Sequence, residues 1–165
     1  MPFDARLLVQ LTANLTSGLD LTTVSAPLNW GRQPTLTNGA GAGQADLIWS
    51  DKRQIAGSAT DSLDLAGALT GPLGGSLTFA RIKGLLVAAA AGNTTDVRIT
   101  RPAANAVPLL SAAGYIPVAP GGLFVWYAPT AAGVAVTAGT ADLIDMVNGG
   151  ATAADYDVVI IGAAT

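Results

Sequence analysis

The 165-residue sequence contains no cysteine, no histidine and no glutamate. Without cysteine the chain has no disulfide, no thiolate nucleophile and no zinc–thiolate or iron–sulfur site. Without histidine it has no Ser–His catalytic pair and no imidazole metal ligand. The general acids and bases that remain are 11 aspartates, the lysines and the tyrosines. We therefore expect a protein that is not an enzyme, with no catalytic residue, no metal site and no cofactor.

Charge is also scarce. Charged residues make up 12% of the chain, about half the ~25% of a typical soluble domain. The only lysines are Lys52 and Lys83, whereas exposed helices are usually built from Glu, Lys, Gln and Arg. The chain is therefore expected to be mostly non-helical. A net charge of −3 with scattered arginines offers no basic stripe for nucleic acid, which we exclude as a partner.

Long uncharged runs do not predict a membrane segment. Residues 102–141 carry no charge but contain five prolines, which a continuous membrane helix would not tolerate. The start of the chain lacks the basic and apolar regions of a signal peptide. We expect a soluble protein that is synthesised in the cytoplasm and does not enter a membrane.

Apolar residues recur with a period of two in several segments. Residues 6–15 alternate apolar and polar side chains with one exception, and 95–101 and 156–160 show the same pattern. This period is typical of half-buried strands. Eight to ten such strands, separated by Gly-, Pro- and Asn-rich turns, predict an all-β, antiparallel β-sandwich or barrel. The length suits one domain, residues 1–165.

Three local features modify this pattern. Residues 60–62 offer N-cap oxygens, leucines follow at 63, 65 and 69, and Gly71-Pro72 would end a helix, so we predict one short helix at about 62–70. The alternation of apolar and polar residues shifts by one residue between Phe79 and Ile82, which indicates a β-bulge. Arg81 and Lys83 follow in the same strand, and we expect acidic partners for both.

Residues 26–45 predict a flexible arm or loop, because their Gly-Ala run offers few side chains to bury. Trp30 and Arg32 lie in this arm, and both residue types are enriched among interface hot spots. We expect them to contact a neighbouring protomer or the partner to which the protein attaches. The alternative is that Trp30 covers one end of the sandwich.

Residues 123–127 form a continuous apolar and aromatic run, which includes Phe124 and Trp126. A strand with two apolar faces is covered twice within its own fold or meets another subunit. We therefore expect Phe124 and Trp126 to contribute to a homo-oligomer, with a trimer slightly favoured over a dimer. The alternative places both in the core, with Tyr127 at its rim.

A succession of short segments resembles a group of small structural proteins encoded in the genomes of tailed bacteriophages. The segments are LIWSDKR at 47–53, DSLDLAGAL at 61–69, LTFARIK at 77–83, PVAPGG at 117–122, VTAGTADL at 136–143 and YDVVIIG at 156–162. In this order they are similar to head decoration, or cement, proteins with a jelly-roll-like β-sandwich. The resemblance covers roughly residues 45–162.

The resemblance implies a virion structural protein without catalytic activity. Such a protein would be made in the host cytoplasm and would bind the major capsid protein on the outer surface of the capsid, stabilising the assembled shell. Another virion part of similar fold, such as a tail, fibre or receptor-binding module, is the first alternative. The second is a carbohydrate-binding or Asp-dependent hydrolase domain, which would use acidic pairs such as Asp61 and Asp64 or surface tryptophans.

Overall fold

The computed structural model describes residues 2–67 and 69–165, and every regular element in that part of the chain is a β-strand. It contains no helix long and apolar enough to cross a membrane. The strands are β1 Asp4–Arg6, β2 Val9–Gly18, β3 Thr23–Arg32, β4 Thr35–Asn38, β5 Gln44–Ala45, β6 Leu47–Ile55, β7 Thr60–Asp64, β8 Leu69–Thr70, β9 Ser76–Leu77, β10 Arg81–Ala89, β11 Val97–Thr100, β12 Tyr115–Val118, β13 Leu123–Tyr127, β14 Val134–Ala135, β15 Leu143–Asn148 and β16 Ala154–Ala163.

Eight of these strands form the body, in two antiparallel sheets. Sheet I has the order β13-β10-β16-β6, with the short β14 also paired to β10, and sheet II has the order β12-β11-β15-β7. If the eight strands are numbered 1 to 8 along the chain, sheet I is 6-3-8-1 and sheet II is 5-4-7-2. This is the strand order of a jelly roll. The predicted all-β, jelly-roll-like antiparallel sandwich is confirmed.

The core lies between the two sheets because their strands alternate buried and more exposed residues. Leu85, Val87 and Ile160 fill it from sheet I, while Ile99 and Met146 fill it from sheet II, and all five are fully buried. Burying a side chain of this size contributes about 1.5–3 kcal/mol. The body is therefore held by an ordinary sandwich core.

One polar cluster also joins the sheets. Arg53 on β6 donates two hydrogen bonds to Asp61 on β7, at 2.5 and 2.8 Å, and the hydroxyl of Tyr156 on β16 donates a third at 2.8 Å. Hydrogen bonds from Arg53 hold the pKa of Asp61 below its usual 3.8, although burial opposes the shift. Burial raises the pKa of Tyr156, and its bond to Asp61 adds to the effect. The cluster keeps Asp61 ionised at the seam between the sheets.

The helix expected at 62–70 is wrong for the residues that the structure describes there, 62–67 and 69–70. The chain instead continues β7 to Asp64, where Leu63 pairs with Ile144 of β15, and then turns. The Asp64 carboxylate accepts a hydrogen bond from the Ala66 amide at 3.0 Å and so caps this turn. Leu63 and Leu65 are both buried. Their spacing of two residues is that of a strand, although the leucine pattern was interpreted as helical.

The β-bulge is present, but it lies one residue beyond the predicted interval. The pairing of β10 with β16 shifts between Ile82 and Gly84, which leaves Lys83 as the extra residue. An extra residue bends the strand and redirects its side chain. The bulge thus turns Lys83 away from the regular alternation of β10.

We predict that Asp61→Asn lowers the free energy of unfolding by about 2 kcal/mol at pH 7, because Arg53 loses a charged acceptor. The difference from the native chain should shrink as pH falls below 3.8. A carboxylate whose pKa is lower in the folded state stabilises the fold above its unfolded pKa, and this contribution is lost on protonation. Urea unfolding at pH 7 and at pH 2.5 measures both effects.

The control for this prediction is Asp51→Asn, which removes the other carboxylate on Arg53. Asp51 lies 3.0 Å from the Arg53 guanidinium but is 45% exposed, so its loss should cost less than about 1 kcal/mol. An equal cost for both variants, or a cost for Asp61→Asn that does not depend on pH, would contradict the role assigned to the cluster.

Candidate assembly interface

The N-terminal strands form one long two-stranded ribbon. β1 pairs with β4 and β2 pairs with β3, and both pairs share a single antiparallel register. The Leu7 amide donates to the Pro34 carbonyl at 3.1 Å between the two pairs. A turn at 19–22 closes the far end, where the Leu19 amide donates to the Thr22 carbonyl. We call β1 and β4 the base of this ribbon and β2 and β3 its arm.

The arm places most of its apolar side chains on one face and most of its polar side chains on the other, as the register and the alternation along each strand require. The apolar face consists of Val9, Leu11, Ala13, Leu15 and Ser17 of β2 and Val24, Ala26, Leu28, Trp30 and Arg32 of β3. The opposite face consists of Gln10, Thr12, Asn14, Thr16 and Gly18 with Thr23, Ser25, Pro27, Asn29 and Gly31.

The whole arm is exposed, on its apolar as well as on its polar face. Leu15 is 77% exposed, Trp30 is 47% exposed, and Leu21 at the tip is 99% exposed. A two-stranded hairpin is at best marginally stable alone in water. Contiguous apolar surface of this kind marks a binding interface in soluble proteins. The arm is therefore the candidate interface of the molecule.

The base of the ribbon is covered, in contrast to the arm. Ala5, Leu7 and Leu36 lie over the outer face of sheet I, where they meet residues that include Leu86 and Ile161. Leu36 is only 3% exposed. Odd-numbered residues of β1 and β2 share one face in a continuous register, so the face that is covered in the base continues as the uncovered apolar face of the arm.

Lys83 joins the base to the body. Its side chain is fully buried, and Nζ donates hydrogen bonds to the carbonyls of Ala40, Gly41 and Gln44 at 2.5–2.8 Å. Burial lowers the pKa of Lys83, and the nearby charge of Arg81 acts in the same direction. Three acceptors use all three N–H groups of an ammonium. The bulge in β10 therefore supplies the donor that fastens the loop after β4.

The acidic partners expected for Arg81 and Lys83 are not found within the described residues. Lys83 bonds to carbonyl groups, and Arg81 donates to the Ala131 carbonyl at 2.8 Å. Charge-poor surroundings explain the difference, because backbone carbonyls are the acceptors that a Gly-Ala loop provides. Of the flexible arm or loop predicted at 26–45, only 39–43 form such a loop, because 26–32 belong to β3, 35–38 to β4 and 44–45 to β5.

The four predicted contact residues lie in two different places. Trp30 and Arg32 are exposed on the apolar face of the arm, where they pair with Leu11 and Val9. Phe124 and Trp126 on β13 are partly buried and pack against the core. The structure therefore does not bring the two pairs together on one surface.

The leucines of the arm were not among the predicted contact residues. Residues 6–15 are predicted to form a half-buried strand, and the strand is present as β2, but the predicted burial is wrong because all of β2 is exposed. The missed signal is a second alternation at 24–30, of similar length and directly after a short turn. Together the two runs describe an amphipathic hairpin.

The arm has the chemistry of a protein interface. Across residues 9–32 the only charges are Asp20 at the tip and Arg32 at the root, and interface cores are depleted of charge. Among the described residues, no three Asp side chains are grouped so that they could hold a metal ion. Comparison of the chain with protein-family models, curated proteins and solved structures finds no match.

We predict that Lys83→Met lowers the free energy of unfolding by about 3 kcal/mol, because three carbonyl groups lose their donor in a buried site. Hydrogen exchange should also become faster at the Gly43 amide, which the loop holds against the Pro129 carbonyl. Urea unfolding and amide exchange by NMR measure the two effects.

The other lysine provides a matched control. Lys52 is exposed, so Lys52→Met should change the free energy of unfolding by less than about 0.5 kcal/mol. If the two variants unfold at the same urea concentration, Lys83 does not fasten the loop.

Proposed function

We propose that this protein is a virion structural protein that decorates the outside of a bacteriophage capsid and stabilises the assembled shell. The uncovered apolar face of the arm is the observation that carries the proposal. A chain with this surface is incomplete alone, since water is a poor solvent for such a face. The function that fits is one in which the chain is always part of an assembly.

The reach of the arm suits a linking role. β2 has ten residues, which in an extended strand span about 33 Å. An arm of this length, exposed along both strands, is suited to contact a neighbouring subunit. Many copies that bind an assembled shell but not free subunits shift the equilibrium toward the shell. The protein would thus act on the major capsid protein by adding contacts across its seams.

The jelly-roll body and the sequence resemblance support the same proposal. Jelly rolls occur in viral capsid proteins, and also in lectins and cupins. A cleft of about 330 Å³ between the N-terminus and the β8–β9 hairpin is lined mainly by apolar residues, and Asp46 is the titratable side chain among them. A glycosidase needs a pair of carboxylates, which the lining of this cleft does not supply.

The predicted location is tested on purified virus particles. We expect mass spectrometry to find the chain in many copies per particle, and electron microscopy with bound antibody to place it on the capsid. Particles from a virus lacking the gene should release their genome at a lower temperature. A label confined to tails or fibres would favour the alternative virion module, and absence of the chain from particles would reject the proposal.

A further inference from the structure

We propose that the apolar face of the arm packs on the outer face of sheet I of a second copy of this chain. This deepens the proposed function by naming the partner of the arm, and it rests on the arm being an assembly interface. The exchange is reciprocal in a closed assembly, so that each copy donates one arm and accepts one.

The chain already contains a contact of this kind within itself. The base of the ribbon lies on the outer face of sheet I, over the row formed by Gly84, Tyr127 and Ile161. The arm continues the same face of the same ribbon. A surface that packs well on sheet I in the base carries matching chemistry into the arm.

Sheet I keeps a suitable receiving surface. The next row across its outer face is Val125, Leu86 and Val159, all only half-buried. Leu123, on the same side of β13, is 65% exposed. This receiving patch, formed by Leu86, Leu123, Val125 and Val159, lies beside the row that the base covers, and Leu86 also lines the contact with the base. Its four residues are apolar, as the arm requires, while Asp157 and Lys52 continue the row of Leu123 across β16 and β6.

The area of the arm face bears on how the copies exchange. An arm face about 33 Å long and about 10 Å wide covers about 330 Å². One arm docked in one direction therefore buries little on each partner. When two copies exchange arms with each other, each buries about 660 Å² at their shared interface, close to the ~800 Å² per partner of a standard stable interface. The area thus favours a reciprocal exchange between two copies over a one-way contact.

The first experiment compares two variants of the full chain that add the same charge to opposite faces of the arm. Leu11→Asp with Leu28→Asp changes the apolar face, and Asn14→Asp with Asn29→Asp changes the polar face at a comparable diagonal spacing across the strands. We expect the native chain and the polar-face variant to be oligomers at micromolar concentration in light scattering. The apolar-face variant should associate at least ~100-fold more weakly, because an unpaired charge would be buried.

The second experiment locates the receiving patch. The chain has no cysteine, so one chain with Leu15→Cys or Leu28→Cys can be mixed with another carrying Leu123→Cys. We expect a disulfide-linked heterodimer from at least one mixture. Thr16→Cys on the polar face should give none. Circular dichroism and thermal unfolding verify that each variant keeps the fold.

Three results would overturn the inference: a monomeric native chain, an oligomer that the apolar-face variant leaves intact, or an oligomer that gives no cross-link between arm and patch. None of them depends on virus particles. A chain that is monomeric in solution but found on capsids would refute the second copy as partner while leaving the proposed function standing. An arm-exchanged oligomer that is absent from virus particles would refute the proposed function while leaving the second copy as the partner of the arm.

Discussion

The ammonium group of Lys83 determines where the ribbon leaves the body. It bonds to the carbonyls of Ala40, Gly41 and Gln44 in the loop that follows the ribbon base. The Gly43 amide adds a bond to the Pro129 carbonyl at 2.8 Å. A Gly-Ala loop has no side chains that could anchor it by packing. Buried hydrogen bonds from the body supply the anchor instead, and the base settles on sheet I beside it.

The anchor gives the arm a fixed starting point. Leu36 is buried in the base, and from there the ribbon continues in unbroken register to a turn at 19–22. The body does not depend on the arm, because its core and the Arg53–Asp61 cluster lie between the two sheets. The arm, by contrast, has no cover of its own.

Much of the body could be predicted from sequence because two-residue alternation survives in its strands. β11 and β16 appear where alternation predicts them, at 97–100 and 154–163. The helix at 62–70 failed because Leu63, Leu65 and Leu69 fit both periods, and pairing with β15 decided between them. Lys83 as a loop anchor could not be predicted, since its acceptors are backbone atoms more than 38 residues away in the chain and carry no side-chain signal.

The candidate interface shows a different limit of sequence analysis. Alternation in residues 9–17 correctly indicates a strand with one face that needs cover, but it does not say which molecule provides the cover. Within one chain such a face is usually covered by the chain's own body, and the base of the ribbon is covered in this way by sheet I. The arm is not covered, because its ten residue pairs extend beyond the sheet that covers the base. The apolar face of the arm is left uncovered for that reason, and we propose that a second copy covers it with the apolar residues of sheet I that lie beside the row on which the base packs.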